Sequence, residues 1–168
     1  MKTLQTCLLG AVVILLIESC SKENAKPSVA ETNGVTLAGA KGSSKSWLLS
    51  SGTASLNSGS YQNLSLDACF LDNIFKFTNN STQDYESTEG STKCNSTDST
   101  LVEKGSWALT NDGKSLLIDG TPYSQESLFT SLGESVTIVE LTDTSLKVSF
   151  AIIDGTDTYH YNLSFVKI

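Results

Sequence analysis

The sequence predicts an all-β domain, built as an antiparallel meander of about eight strands, and three observations favour it. Apolar and polar residues alternate repeatedly from residue 47 onwards. Turn-forming residues separate the alternating stretches, most clearly Asp154-Gly155. Helical spacing of apolar residues is hard to find in the same region. Short strands at such intervals are typical of an up-and-down barrel or an open β-sandwich.

The first half of this region contains four predicted strands. They lie at residues 47–50, 70–78, 83–87 and 106–110, where apolar side chains recur at alternate positions. The segment Asn111-Asp112-Gly113 follows the fourth strand, and Gly113 is free to take the positive φ that closes a hairpin turn. A hairpin is therefore predicted at this point.

The second half contains four more predicted strands, at residues 115–119, 136–141, 145–152 and 158–167. The last two alternate most clearly, because one face of each carries large apolar side chains throughout. Asp154-Gly155 joins these two strands, and Thr142-Asp143-Thr144 joins the preceding pair. Residues 121–134 stay unassigned, because Pro122 discourages a central strand while the apolar residues at 128, 129 and 132 fit one short helical turn.

The amino-terminal residues 1–19 have the features of a secretory signal peptide. Lys2 supplies a positive start, and residues 7–17 form an uninterrupted apolar run of the expected length. A transmembrane helix needs roughly 20 apolar residues, whereas Glu18 ends this run much earlier. The segment is therefore predicted to be removed during export.

The end of this signal, Ile17-Glu18-Ser19-Cys20, resembles the lipobox of bacterial lipoproteins. In that family the cysteine is acylated and becomes the first mature residue, so the resemblance implies a lipid anchor at Cys20. Two or more acyl chains give stable membrane attachment. The implied location is the cell envelope, anchored to the outer membrane and facing the periplasm or the cell surface. A plain signal peptide with an incidental cysteine is the alternative.

Residues 20–44 are predicted to be a flexible tether between this anchor and a folded domain at residues 45–168. The tether segment is rich in Ser, Ala, Gly, Asn and Lys and has no periodic apolar pattern. The whole chain has 168 residues and a net charge of −7, and its 11 basic residues are all Lys. Nucleic acid is not an expected partner, because binding to phosphates relies on clustered Lys and Arg.

The cysteines divide into two pairs. Cys7 lies in the signal peptide and Cys20 is the proposed lipid site, which leaves Cys69 and Cys94 in the exported domain. Two cysteines in an exported chain favour a disulfide over a metal pair, because no histidine or third thiol lies near enough in sequence to complete a metal site.

The sequence offers little catalytic chemistry, and no enzymatic activity, cofactor or metal is expected. The single histidine, His160, lies within a predicted strand and has no nucleophile motif near it. Asp154 and Asp157 suit a hairpin turn better than a calcium site, which needs six to eight oxygen ligands. Ser99, within Asp98-Ser99-Thr100, resembles the short acceptor motif for bacterial O-glycosylation, and a solvated loop is the equal alternative.

The order of short motifs in the domain resembles the lipocalin-like domain of Gram-negative lipoproteins. In that family an early Trp opens the first strand, a Cys-x-x-Asp-Asn step precedes a Phe-rich strand, a second Cys follows, and a Gly-x-Trp strand leads into a hairpin. The matching residues are Trp47, Cys69, Asp72, Asn73, Phe75, Phe77, Cys94, Gly105 and Trp107. The resemblance implies a lipocalin-like up-and-down barrel over residues 45–168, carried on a lipid anchor, with an open β-sandwich as the alternative.

The resulting functional hypothesis is a non-enzymatic module that binds an apolar small molecule or an envelope component. The alternatives are a structural or assembly subunit with a filled barrel and, less favoured, a hydrolase. A filled interior is favoured slightly, because protein interiors leave few voids larger than water. Alternation assigns several large side chains to the inside, and the ligand-binding candidates among them are Trp107, Phe150, Tyr159 and Tyr161.

Overall fold

The computed structural model describes residues 26–132 and 135–168. This part of the chain contains nine strands and three short helices. The helices are α1 (Val29–Ala38), α2 (Ala68–Leu71) and α3 (Phe129–Leu132). The strands are β1 (Ser44–Leu56), β2 (Gln62–Asn63), β3 (Ile74–Thr78), β4 (Asp84–Thr88), β5 (Leu101–Leu109), β6 (Ser115–Pro122), β7 (Val136–Leu141), β8 (Ser145–Asp154) and β9 (Asp157–Lys167).

Eight of the strands form a closed antiparallel barrel. The order around the barrel is β1-β3-β4-β5-β6-β7-β8-β9, and β9 pairs back with β1 to close the ring. The two-residue β2 pairs with the second half of β1 and lies outside this ring. The predicted up-and-down barrel is therefore confirmed, and the open sandwich alternative is wrong. Closure gives each of these eight strands a neighbour on both sides, which reduces the unpaired edge available to another chain.

The eight predicted strands correspond to β1 and β3–β9, but the start of one of them was predicted as strand and is a helical turn. Residues 70–73 do not continue β3, because the apolar run Ala68–Leu71 folds as the helical turn α2. In this turn Cys69 is buried and bonded to Cys94, at a Cα–Cα distance of 5.1 Å. Short apolar runs fit a strand and a helical turn equally well, which explains the error.

Helix α1 corrects the prediction of a tether over residues 20–44. It begins with a capping box, in which the Ser28 hydroxyl accepts a hydrogen bond from the Glu31 N–H (3.1 Å) and the Glu31 carboxylate accepts one from the Ser28 N–H (2.7 Å). Leu37 and Ala38 near its end are fully buried. The helix contacts β1, β3, β5 and β7, so it closes one end of the barrel. Residues 20–25 lie outside the described residues.

The half of the barrel next to α1 is a filled core. The Trp47 indole N–H donates to the Leu37 carbonyl (3.0 Å), which fastens the helix to β1. The Trp107 indole N–H donates to the Thr78 carbonyl (3.1 Å), and its ring packs edge-on against Phe77 at 6.2 Å between centroids. Aromatic pairs of this geometry add about 0.5–1.5 kcal/mol each beyond their burial. Large side chains thus occupy the space at this end.

Two of the predicted turns depend on glycine. Gly113 between β5 and β6 has φ of 68°, and Gly155 between β8 and β9 has φ of 61°. Both values lie in the left-handed region that side chains disfavour. The short connections that they allow keep β5–β6 and β8–β9 as adjacent hairpins.

A pair of glycines brings β5 and β6 unusually close. Gly105 and Gly120 lie opposite each other in the register. A Cβ at Gly105 would approach the Asp119 carbonyl oxygen to 2.1 Å, and one at Gly120 would approach the Lys104 carbonyl oxygen to 2.5 Å. Neither strand can therefore carry a side chain at this crossing. Gly105, the glycine of the Gly-x-Trp motif, is therefore required for β5 and β6 to pack this closely.

Gly105→Ala is expected to lower the free energy of unfolding by at least about 2 kcal/mol, because its methyl group would meet backbone atoms that cannot yield. Gly34→Ala in α1 is the control, because the nearest atom to its added Cβ, on Trp107, lies at an ordinary 3.4 Å. We expect that substitution to be neutral or stabilising. Urea denaturation of both variants measures the difference, and equal stabilities would contradict the close crossing.

Candidate ligand-binding pocket

The end of the barrel opposite α1 is formed by long connections. They are the link from β1 to β3, which contains β2 and α2, the loop from β4 to β5, and the segment from β6 to β7. Strands β6 and β7 pair only at Ser115–Thr137 and Leu116–Val136, so the rest of β6 has no β7 partner in the described residues. The part of the β6–β7 connection at residues 123–132, here called the plug segment, folds inward at this end.

The plug segment places a phenylalanine in the middle of the barrel. Phe129 is 3% exposed and stacks on Phe165, with 5.9 Å between ring centroids. Its ring also makes edge contacts with Phe75, Phe77 and Tyr85. This ring separates the filled core near α1 from the space near the opposite end.

A buried carboxylate holds the plug segment in this position. Glu103 on β5 is fully buried. Its oxygens accept hydrogen bonds from the Ser127 hydroxyl (2.9 Å), the Phe129 N–H (3.3 Å), and the N–H and hydroxyl of Thr130 (both 2.8 Å). The Tyr85 hydroxyl donates to the same carboxylate from β4. A buried charge is tolerated only with such partners.

An irregularity in β5 turns Glu103 inward. The pairing with β4 shifts so that Ser87 lies opposite Glu103 while Thr88 lies opposite Leu101, which leaves Val102 as an extra residue. The Val102 carbonyl accepts hydrogen bonds from the N–H groups of Tyr123 (2.8 Å) and Ser124 (3.2 Å). Val102 in the bulge thus binds the start of the plug segment, and Glu103, the next residue, binds its later part.

The environment of Glu103 also changes the acidity of Tyr85. Burial raises the pKa of the Tyr85 phenol well above its ordinary value, and the neighbouring Glu103 carboxylate raises it further. The phenol therefore remains a hydrogen-bond donor throughout the neutral range.

Between the plug segment and the surrounding strands lies a pocket of about 390 Å³. Its lining residues are mainly apolar: Leu49, Leu64, Leu66, Phe70, Phe75, Leu128, Leu132, Phe150, Ile152, Tyr161 and Leu163. The polar lining residues are Ser65, Asp67, Gln125, Glu126 and Ser127. The first three of these are exposed, whereas Leu49, Phe75 and Leu163 are buried. The pocket therefore has a buried apolar floor and a polar rim that reaches solvent.

Two of the four ligand-binding candidates from the sequence line this pocket. Phe150 and Tyr161 lie opposite each other on β8 and β9, and their rings stack at 5.1 Å. Trp107 is not a lining residue, because it lies in the filled core beside α1. Tyr159 is not a lining residue either, although Ile152, which lies opposite it in the register, is one. The alternation of apolar residues predicts which side chains of a strand point into the barrel, but it does not predict how far along the barrel axis each side chain lies.

Other lining residues come from outside the barrel strands. Leu64 and Leu66 follow β2, and Leu128 and Leu132 belong to the plug segment, where no strand was predicted. Phe70 lies in α2, at the start of a segment that was wrongly predicted as a strand. The apolar residues at 128, 129 and 132 were the one available signal, because apolar side chains in an otherwise polar connection need a buried site.

The Cys-x-x-Asp-Asn step fastens the wall of this end. Besides the disulfide from Cys69, the Asp72 carboxylate accepts hydrogen bonds from the Thr92 N–H (2.7 Å) and the Ser91 hydroxyl (3.0 Å). The amide oxygen of the buried Asn73 accepts one from the Gly90 N–H (3.3 Å). All three side chains therefore hold the loop between β4 and β5.

Several polar residues remain to be placed. Glu126 lines the pocket, and burial raises its pKa to about 7, with further contributions from Glu89 and Asp98. Ser99 is exposed in the β4–β5 loop, and its glycosylation stays a prediction. His160 lies opposite Ala151 and Ser55 and is not a pocket residue.

Cys20 lies outside the described residues. Within residues 26–132 and 135–168, the helices are all too short or too polar to cross a bilayer.

A closed eight-stranded up-and-down barrel with an apolar pocket at one end has the architecture of lipocalin-type binding barrels. The sequence agrees with this class, because residues 42–148 match the family model described as the lipocalin-like domain. The match covers more than half of the chain, and the protein belongs to this family. No curated protein matches the sequence.

Glu103→Ala is expected to lower the free energy of unfolding by about 3 kcal/mol, because the Tyr85 hydroxyl and the amides of Phe129 and Thr130 would be left buried without their acceptor. Glu86→Ala on the neighbouring strand is the control. It removes a partly exposed ion pair with Lys76 and should cost less than about 1 kcal/mol. Chemical denaturation compares the two, and equal losses would contradict the anchoring role of Glu103.

Proposed function

We propose that this protein is a non-enzymatic, lipid-anchored protein of the cell envelope that binds an apolar small molecule in the pocket opposite α1. The observation that carries the proposal is the pocket itself. Its volume of about 390 Å³ falls within the range of roughly 300–1,000 Å³ for small-molecule sites, and its lining is mainly apolar with a few polar groups. Proteins with lipocalin-like domains are in general binding proteins, which supports the same interpretation.

The lining residues favour a particular kind of ligand. The stacked rings of Phe150 and Tyr161 offer a flat apolar wall, on which a ring or an extended hydrocarbon would bury its surface. Asp67 on the exposed polar side brings a carboxylate, which disfavours an anionic ligand by like-charge repulsion. The proposed ligand is therefore an apolar molecule whose polar end is neutral or cationic.

The pocket argues against the alternative of a purely structural subunit. That alternative predicts a barrel filled throughout, and only the half beside α1 is filled in this way. The hydrolase alternative has no support either, because the described residues do not combine His160 with a nucleophile at the pocket.

The proposed anchor would orient the pocket. Cys20 and Ser28 are separated by eight residue steps, which reach at most about 29 Å when fully extended. Ser28 caps α1, and α1 closes the barrel end opposite the pocket. An acylated Cys20 would therefore keep the closed end near the membrane, and the pocket would open away from it.

Leu128→Trp is expected to weaken binding of the neutral fluorescent probe N-phenyl-1-naphthylamine by at least about tenfold, because the larger side chain would occupy the pocket. Val139→Trp is the control, since Val139 is 61% exposed on β7 and does not line the pocket. Fluorescence titration measures both affinities. Equal affinity in the two variants would place the probe on the barrel surface and contradict the proposed site.

Cys20→Ser is expected to move the protein from the membrane fraction to the soluble fraction, because the serine cannot form the thioether of the lipid anchor. Cys7→Ser is the matched control and should leave the protein in the membrane fraction. Mass spectrometry of the mature amino terminus identifies the modification. A mature chain that begins elsewhere without acylation would contradict the lipoprotein assignment while leaving the pocket untouched.

A further inference from the structure

Three carboxylates from separate segments meet beside the pocket. Glu89 directly follows β4, Asp98 lies in the loop between β4 and β5, and Glu126 belongs to the plug segment. One oxygen from each lies within 4.8 Å of the corresponding oxygens of the other two. Like charges at this spacing repel one another, so the arrangement needs a compensating partner.

Two of these side chains are buried and lack hydrogen-bond partners among residues 26–132 and 135–168. Glu89 is 5% exposed, and both of its carboxylate oxygens are buried and accept no hydrogen bond from these residues. Glu126 is 8% exposed, and its Oε2 atom is in the same condition. Buried carboxylates ordinarily have hydrogen bonds, ion pairs or a metal, because their desolvation is costly. These oxygens point to a ligand that the surrounding side chains do not supply.

Lysine does not supply the missing charge in the described residues. The ion pairs there join Lys45 to Asp143, Lys76 to Glu86 and Lys147 to Glu140, and none includes the three clustered carboxylates. Lys93 lies with Asp98 in the loop between β4 and β5, but its ammonium donates a hydrogen bond to the backbone carbonyl of Asp98. The Asp98 carboxylate itself accepts a hydrogen bond from the Asn95 N–H (2.7 Å), which orients it.

We propose that Glu89, Asp98 and Glu126 bind a hard divalent cation, with Ca²⁺ as the preferred ion. Calcium binds oxygen ligands at about 2.3–2.6 Å, so two ligands of one ion lie at most about 5.2 Å apart. The observed limit of 4.8 Å meets this requirement. Three carboxylates supply up to six oxygens, and Asp98 is partly exposed, so water can complete the shell. The absence of nitrogen and sulfur ligands in the cluster disfavours zinc.

The cation would join three segments at the pocket end of the barrel. It would link the end of β4, the loop that carries Cys94, and the plug segment. Glu126 also lines the pocket, so the bound ion would stabilise that wall in one position. The site goes beyond the proposed binding function and does not depend on it, since the cation would bind whether or not the pocket holds a ligand.

The test compares thermal unfolding of the purified protein in EDTA with unfolding at about 10 mM Ca²⁺, roughly tenfold or more above the dissociation constants of about 10⁻⁴ to 10⁻³ M of extracellular calcium modules. We expect the midpoint to rise by about 5 °C or more. Native mass spectrometry should show one bound Ca²⁺ per chain. The double variant Glu89→Gln/Glu126→Gln should lose both effects. Glu86→Gln should keep them, because Glu86 is a partly exposed residue on β4 outside the cluster.

A proton shared between Glu89 and Glu126 would also relieve the repulsion between the carboxylates, and the same experiment distinguishes it from a bound cation. In that case Ca²⁺ would change neither the midpoint nor the mass of the wild-type protein, and the proposal would be overturned. Calcium binding that survives in the double variant would also overturn it, because the ion would then bind elsewhere. Circular dichroism of each variant in EDTA establishes that it is folded before the comparison is made.

Discussion

The fully buried carboxylate of Glu103 determines how the inside of this barrel is divided. It accepts hydrogen bonds from β4 and from the plug segment, which must fold inward to provide them. Because an unpartnered charge at this depth would be very costly, the plug segment is fixed in place and Phe129 is fixed with it. The pocket exists because this segment occupies part of the barrel and leaves the remainder open. The stability of the barrel and the shape of the pocket therefore depend on the same interaction.

The two ends of the barrel are stabilised in different ways. Helix α1 closes one end by ordinary burial, with Leu37 and Ala38 covered and the Trp47 indole bonded to the helix. The other end depends on polar and covalent links, namely the disulfide and the hydrogen bonds of Asp72 and Asn73. Disulfides and side-chain hydrogen bonds can hold a wall in place without filling the space behind it. This difference explains why one end is a core and the other a pocket.

Much of the fold could be predicted from the sequence, because alternation and glycine turns act locally. The eight barrel strands and the two hairpins followed from such signals. The disulfide followed from a count, because Cys69 and Cys94 were the two cysteines left for the folded domain. Helix α1 was missed because few of its residues are buried, so its apolar face is too narrow to show a period. Its Ser28-x-x-Glu31 capping box was the available signal. Glu103 and the three clustered carboxylates were missed because inward acidic residues break the alternation, and their partners lie far away in sequence.

We propose that the barrel holds an apolar molecule in its pocket, and the most direct test is a crystal structure of the protein purified from the cells that produce it naturally. We expect electron density for a bound apolar molecule that contacts Phe150, Tyr161 and Leu128, with the plug segment hydrogen-bonded to Glu103 as described. A barrel in which the plug segment or neighbouring side chains fill this space, with no connected cavity left, would contradict the account.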